Sequence, residues 1–230
     1  MREVVLDTET TGLDPDQGHR VVEIGAIELE NLLPTGRVYH QYLNPECQVP
    51  RDAVAVHGLT DAFLADKPVF AGIAESFLDF IGDARLVIHN AAFDLRMLNA
   101  ELARLGADAL PAGRALDTLE IARARFPGAP ASLDALCRRF SIDNSGREKH
   151  GALLDSELLA EVYLELMGGR QRGLALDAGG TAGTRTRAGE WHAPARSRPL
   201  APRLTPEEKA AHDDFVAELG DSALWQRFSD

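Results

Sequence analysis

The first strand predicted from the sequence ends in two carboxylates. Residues 4–6 form an apolar run that should be buried on both faces, and Asp7 and Glu9 follow at positions i and i+2. Residues two apart in an extended chain point to the same side of a sheet. Two adjacent buried acids repel each other and lose hydration, so they need a compensating cation. Oxygen ligands in this arrangement suit Mg²⁺ or Mn²⁺. A strand that runs into a polar turn would show the same pattern.

Strand and helix patterns alternate over residues 1–168 and predict an α/β fold. Strands at 21–29 and 38–43, with turn residues 31–36 between them, predict an antiparallel meander after the first strand. The later elements are strands at 86–89 and 115–116 and helices at 68–81, 93–105, 118–126, 132–140 and 153–167. This order predicts a mixed five-stranded sheet with helices on both faces.

The character of the chain changes after residue 168. Residues 169–203 mix Gly, Thr, Ala, Arg and Pro without apolar periodicity, which predicts a flexible linker. Thr205 is then a predicted N-cap, with Glu208 at capping-box spacing, and begins an amphipathic helix that ends near residue 219. The predicted organisation is a domain at 1–168, a linker at 169–203 and a terminal segment at 204–230.

The terminal segment carries large apolar residues close to its end. Leu224, Trp225 and Phe228 are anchors of the kind that a docking peptide uses, and the linker would provide the tether. The alternative is a C-terminal helix that folds back on its own core.

The charge of the chain limits how it could bind nucleic acid. Residues 1–168 contain 15 Lys and Arg against 27 Asp and Glu, whereas residues 169–230 contain nine of each. General nucleic-acid binders are basic, because their affinity comes from neutralising phosphates. A DNA-binding module that acts alone is therefore not expected. A nucleic acid would be held locally by metals and a few contacts, or would be delivered by a partner.

No membrane association is expected from the sequence. No run of about 18 apolar residues occurs, and residues 1–3 lead directly into the first strand rather than into an apolar signal region. The sequence thus predicts a cytoplasmic protein.

Further acids and histidines occur at the ends of predicted elements. Asp94 follows His89-Asn90-Ala91-Ala92-Phe93 where a strand gives way to a helix, although Asp is also a common helix cap. His150 lies in a polar loop flanked by glycines, and Asp155 follows in the first turns of a helix. A surface histidine ahead of a helix would look the same. His57 lies in a predicted turn, and on its own it is a weak signal.

Together these motifs resemble the DEDDh 3′–5′ exonucleases over residues 1–167. The shared features are Asp-x-Glu on the first strand, Asp after His-Asn-x-x-Phe, and His-x-x-x-x-Asp before the last helix. The resemblance implies a ribonuclease-H-like fold and two-metal phosphodiester hydrolysis. Asp7, Glu9 and Asp155 would bind two Mg²⁺ or Mn²⁺ ions, with Asp94 completing the site through water. His150 would be the general base.

The resemblance also implies substrate contacts and a product. Besides Asp7, Glu9 and Asp155, the residues His57 and Asp52 match substrate-contacting positions, and Thr8 and Thr10 would touch the terminal nucleotide. The product would be a nucleoside 5′-monophosphate released from a single-stranded or frayed DNA 3′ end.

The tail points to one branch of the family. Gln171, Leu174 and Leu176 are similar to a sliding-clamp peptide, which normally ends in an aromatic residue, so the binding should be weaker. The terminal segment is similar to the polymerase-binding end of the proofreading subunits of bacterial replicative polymerases. The implied partners are the polymerase catalytic subunit and the sliding clamp, and a small accessory subunit is left open.

Two alternatives to a proofreading exonuclease remain open at this point. An RNA-processing relative that trims tRNA ends or degrades oligoribonucleotides usually stops after the domain. A non-catalytic scaffold between polymerase and clamp would be expected to have lost one of the acids or the histidine.

Overall fold

The computed structural model describes residues 1–146, 149–169 and 204–220. Its strands are β1 (Arg2–Thr10), β2 (Val21–Glu30), β3 (Leu33–Tyr42), β4 (Arg85–Ile88) and β5 (Ala115–Asp117). They form one sheet in the order β3-β2-β1-β4-β5. The pairs β1–β2 and β2–β3 are antiparallel, whereas β1–β4 and β4–β5 are parallel. The predicted mixed five-stranded sheet is confirmed.

The third strand begins earlier than the sequence pattern predicts. Only Asn31 and Leu32 connect β2 to β3, and both have positive φ angles of 53° and 72°. Two consecutive left-handed residues are typical of the tight hairpin turn that matches strand twist. Residues 33–36, predicted as part of the turn, therefore belong to β3. Pro34 is tolerated there because β3 lies at the edge of the sheet.

Eight α-helices occur in the described residues. They are α1 (Arg51–His57), α2 (Asp61–Leu64), α3 (Phe70–Ile81), α4 (Ala91–Arg104), α5 (Thr118–Arg125), α6 (Leu133–Phe140), α7 (Ala152–Leu166) and α8 (Pro206–Glu218). The sequence pattern predicts six of them to within about two residues. It misses the short helices α1 and α2, so His57 ends a helix instead of lying in a turn. The packed apolar residues of α1, Ala53 and Val54, are too few in a helix of seven residues to give a periodic pattern.

Helices cover both faces of the sheet, as predicted. Val4 and Leu6 of β1 belong to a core formed with α3 and α4 on one face. Val5 points the other way and packs with Leu159 and Tyr163 of α7. By the same alternation, Asp7 and Glu9 lie on the α7 face, whereas Thr8 lies on the α4 face. The end of β1 can therefore meet side chains from both helices.

The chain divides into two compact units, Met1–Leu176 and Asp177–Asp230. In the second unit, α8 begins with the predicted capping box: Glu208 N donates to Thr205 Oγ1 at 3.2 Å and Thr205 N donates to Glu208 Oε2 at 2.9 Å. The prediction that this helix is amphipathic is wrong. Phe215, Val216 and Ala217 are consecutive and therefore point in different directions, so they form no single apolar face.

Several predictions on the tail concern residues outside those described. They are the flexible linker beyond residue 169, the clamp peptide Gln171, Leu174 and Leu176, and the anchors Leu224, Trp225 and Phe228. Among the described helices, none has the length and apolar character needed to cross a membrane.

Candidate active site

The close approach of α7 to the sheet brings Asp155 to the end of β1. Gly25 of β2 is the register partner of Asp7. A Cβ atom on Gly25 would lie 2.2 Å from the backbone carbonyl carbon of Ala152, so any side chain there would push α7 away. The buried Ser156 hydroxyl fixes this contact by donating to the Gly25 carbonyl at 2.9 Å. Asp155 is the neighbour of Ser156 and is only 3% exposed.

Asp94 reaches the same place from the other face of the sheet. It lies in the first turn of α4 and is 3% exposed. The backbone N–H and the hydroxyl of Thr8 donate to Asp94 Oδ1 at 3.1 and 2.7 Å. Burial raises the pKa of Asp94 to about 7, although these hydrogen bonds oppose the shift. A buried acid of this kind is readily ionised by a nearby cation.

The start of α4 is itself held by a residue of β5. Asn90 precedes the helix with a positive φ of 70°, which is uncommon for a residue other than glycine. The backbone N–H groups of Asn90 and Ala91 donate to the two carboxylate oxygens of Asp117 at 3.0 and 3.1 Å. Because β4 and β5 are parallel, Asp117 ends its strand beside the end of β4. This contact fixes where α4 begins and therefore where Asp94 lies.

These acids meet in one space, which we call the carboxylate cavity. Asp7, Glu9, Asp94, His150 and Asp155 all line it, and its volume is about 470 Å³. Ligand atoms of Glu9, His150 and Asp155 lie within 4.8 Å of one another. Glu9 is 8% exposed and Asp7 is partly buried. Four carboxylates so close together, three of them buried, are a donor set that fits hard divalent cations.

His150 approaches the carboxylates from a loop. Its Nδ1 lies 3.3 Å from Asp155 Oδ2, and its side chain is 49% exposed. The backbone N–H of His150 donates to the Val56 carbonyl of α1 at 3.2 Å. Lys149 lies over Gly58, where a Cβ atom would come within 2.8 Å of its side chain. The histidine is thus positioned through its backbone, while its ring stays accessible.

Asp52 and His57 line a second space, the adjacent cavity, of about 650 Å³. Thr8, Glu9 and Phe93 line both cavities, so the two are continuous at these residues. Asp52 is exposed in the first turn of α1, whereas His57 is 6% exposed. The adjacent cavity has mostly apolar walls between the loop after β1 and α1.

The ring of His57 has one nitrogen in use. Its Nδ1 accepts a hydrogen bond from Leu59 N at 3.0 Å, which places the proton of the neutral ring on Nε2. Burial lowers the pKa of His57, and a backbone interaction with Thr10 only partly opposes this. Among the described residues, the buried Nε2 has no partner with hydrogen-bond geometry. Burial thus favours the neutral ring of His57, which forms part of the wall of the adjacent cavity.

The structure adds residues that the sequence reasoning did not assign. Phe93 and His89 belong to the motif before Asp94, but the motif alone assigns no function to either of them. Arg123 lines the carboxylate cavity from α5, and no sequence pattern marks it. The two threonines that are predicted to contact the nucleotide also form hydrogen bonds within the protein. The Thr8 hydroxyl donates to Asp94, and the Thr10 hydroxyl donates to the Gly12 carbonyl at 2.8 Å.

Comparisons with known proteins identify the family to which the chain belongs. The family model described as Exonuclease (RNase_T) matches residues 4–163. DNA polymerase III subunit epsilon of Rickettsia felis is 48% identical over 222 residues, which cover 95% of this chain and 97% of the relative. The protein of the same name from Escherichia coli K12 is 45% identical over 240 residues, covering 98% and 97%.

A solved structure shows the same fold. The nuclease domain of 3′hExo, a DEDDh family member bound to rAMP, aligns with a TM-score of 0.62 at 18% identity, covering 72% of this chain and 91% of that one. The predicted fold and the predicted exonuclease are confirmed, and neither alternative function is favoured. The chain therefore belongs to the Exonuclease family and, within it, to the group of relatives named DNA polymerase III subunit epsilon.

Proposed function

We propose that the chain is the proofreading exonuclease of a replicative polymerase and removes the last nucleotide from a DNA 3′ end. One observation carries the proposal: carboxylates from β1, α4 and α7 surround a single cavity, and a half-exposed histidine reaches into it. The relatives named DNA polymerase III subunit epsilon, which this chain matches over nearly its whole length, support DNA as the substrate. The product would be a nucleoside 5′-monophosphate.

The acids of the carboxylate cavity would hold two Mg²⁺ or Mn²⁺ ions. Asp7, Glu9 and Asp155 are the proposed direct ligands, and Asp94 would complete the site through water. When bound, such ions lower the pKa of water and offset the negative charge of a phosphodiester. The protein contributes the fixed arrangement of the four carboxylates, since Thr8 orients Asp94 and the Gly25 contact places Asp155.

His150 would take the proton from the attacking water. A general base must come within hydrogen-bond reach of the reacting group. The His150 ring lies at the edge of the carboxylate cavity, beside Asp155. Its exposure lets the proton pass on to solvent after the reaction, and its backbone bond to Val56 keeps the loop close to the site.

The adjacent cavity would hold the terminal nucleoside. Phe93 offers an aromatic wall at the junction of the two cavities, and the His57 ring forms part of the wall beside it. Asp52, at the mouth of the same cavity, would accept a hydrogen bond from the sugar. Because only an unpaired end can enter, a mispaired terminus that frays easily is favoured over a matched one.

The acidic charge of the domain favours a partner that delivers the DNA end. We propose that Leu224, Trp225 and Phe228 dock on the catalytic subunit of the polymerase and that Gln171, Leu174 and Leu176 bind the sliding clamp more weakly. A small accessory subunit could attach as well. This assembly would be located in the cytoplasm, where bacterial chromosomes are replicated.

The proposed function is tested by comparing the rates at which the chain degrades different kinds of 3′ end. With Mg²⁺ or Mn²⁺, the purified chain should release nucleoside monophosphates fastest from single-stranded and mispaired DNA, more slowly from matched duplexes, and slowest from RNA. The readout is the rate of monophosphate release, with EDTA as the negative control. Equal rates on matched and mispaired ends would contradict proofreading, and a preference for RNA ends would favour the RNA-processing alternative.

The docking proposal is tested by deleting residues 204–230. The shortened chain should degrade free oligonucleotides at the normal rate, because the site residues all precede the deletion. It should no longer co-purify with the polymerase catalytic subunit. A matched variant, in which only Leu224, Trp225 and Phe228 become Ser, should behave like the deletion. Retained co-purification of either variant would refute the docking segment.

A further inference from the structure

We propose that Arg123 binds the phosphate one nucleotide upstream of the scissile bond. The proposal rests on the proposed function and extends it, because it names a contact to the strand that remains after hydrolysis. It also fixes the direction in which the strand crosses the two cavities.

Arg123 is the one arginine or lysine among the described residues that line the carboxylate cavity. It is exposed on α5 and lines the carboxylate cavity together with Asp7, Glu9, Asp94, Asp134 and Asp155. Within the described ranges, its guanidinium takes part in no salt bridge or side-chain hydrogen bond. A charged group that faces a substrate cavity without an internal acid partner is available for an anionic ligand.

Other arginines of this unit are engaged within the protein. Arg20 binds both carboxylate oxygens of Glu101, at 2.7 and 2.9 Å. Arg125, two residues after Arg123 on α5, donates to the carbonyls of Glu165 and Leu166 at the end of α7. These arginines stabilise the fold. Arg123 makes no such internal hydrogen bond with the described residues, so stabilisation of the fold does not explain why it lies in the cavity wall.

His89, which also lines the carboxylate cavity, is held in the cavity wall by hydrogen bonds. Burial lowers the pKa of His89 and so disfavours the charged form of its ring. Its Nδ1 lies 3.0 Å from Thr118 Oγ1, and the backbone of Ala131 is its second hydrogen-bond partner. His89 thus ties the start of α5 to the segment before α6, and leaves the charge to Arg123.

The layout of the cavities indicates which phosphate Arg123 would meet. The terminal nucleoside is assigned to the adjacent cavity, and the two cavities join at Thr8, Glu9 and Phe93. The scissile phosphate would therefore lie at this junction. Leu119 and Arg123 of α5 and Leu133 of α6 line the carboxylate cavity but not the adjacent one, so the strand would continue from the junction toward them. The next group along the strand with a full charge is the upstream phosphate.

Two short substrates isolate this contact. The dinucleotide TpT contains only the scissile phosphate, whereas the trinucleotide TpTpT adds one phosphate upstream. The wild-type enzyme should prefer TpTpT in kcat/KM, and Arg123→Ala should reduce the ratio of the two kcat/KM values about tenfold. Arg123→Lys should retain part of the preference, because it keeps the charge but loses the planar fork. Added salt should lower the preference of the wild type more than that of Arg123→Ala.

The matched control is Arg138→Ala. Arg138 is an exposed arginine on α6 outside both cavities, and its removal should leave the preference for TpTpT unchanged. An unchanged preference in Arg123→Ala would overturn the proposal. An equal loss on both substrates would overturn it too, because Arg123 would then act at the scissile phosphate. These outcomes can be distinguished from a failure of the proposed function, because in that case the wild-type enzyme would hydrolyse neither substrate.

Discussion

Asp94→Asn is expected to lower metal-dependent exonuclease activity and, at the same time, to stabilise the metal-free protein. The loss of activity should be on the order of 10³-fold, because a metal ion contributes several kcal/mol and each factor of ten corresponds to about 1.4 kcal/mol. The gain in stability follows from burial. Asp94 is 3% exposed, and without a cation its negative charge is unfavourable.

The pH dependence of this gain has a definite sign. The pKa of Asp94 rises from 3.8 in the unfolded chain to about 7 in the folded one. Its contribution to stability is thus fully present below pH 3.8 and is lost as the pH rises through about 7. Each unit of pKa difference corresponds to about 1.4 kcal/mol. The asparagine side chain of the variant would stay neutral at every pH, and its carbonyl oxygen could still accept both bonds from Thr8.

Thermal unfolding in EDTA measures this effect. The melting temperature of Asp94→Asn should exceed that of the wild type at about pH 8, and the difference should shrink as the pH falls toward about 5. Asp79→Asn, which changes an exposed acid on α3, is the control and should show neither effect. A variant no more stable than the wild type at the higher pH would contradict the buried charge. Retained activity would contradict the role of Asp94 in the metal site.

The parts of the site that the sequence predicts are those with local signals. Asp7 and Glu9 are recognisable because residues two apart on a strand share a face. Asp155 is recognisable because it follows His150 by five residues, in the first turn of a helix. Residues 1–168 also contain enough strand and helix signals to predict the sheet. These signals do not show on which face of the sheet each helix packs. The position of Arg123 in the cavity wall depends on how α5 packs, so the sequence does not predict it.

Contacts between distant backbone groups are the second part that the sequence leaves undetermined. The hydrogen bonds from the backbone of Asn90 and Ala91 to the Asp117 carboxylate join residues that are 26 or more positions apart in the sequence. The contact between Gly25 and Ala152 depends on a glycine that looks, in the sequence, like any small residue inside a strand. Thr8 lines both cavities, and its hydroxyl and N–H also hold Asp94. In each case a tertiary contact, not a local preference, determines the role.

His150→Ala is expected to lower kcat by on the order of 10²–10⁴, the usual contribution of a general base. The variant should stay folded, because the side chain is 49% exposed and its removal leaves the backbone bond to Val56 intact. The melting temperature should therefore equal that of the wild type. The rate of release of nucleoside monophosphate from single-stranded DNA at saturating Mn²⁺ is the measurement.

Imidazole distinguishes a lost base from a displaced metal ligand. Added to His150→Ala, it should raise the rate in proportion to its concentration, because a small base can occupy the space left by the side chain and accept the proton. It should not rescue Asp94→Asn, in which the base is present and the carboxylate is missing. His212→Ala, which changes an exposed histidine on α8, is the matched control and should retain full activity on free oligonucleotides. If His150→Ala kept a normal rate, the proton would have another acceptor. If its activity fell and only a large excess of Mn²⁺ restored it, His150 would instead be holding the metal.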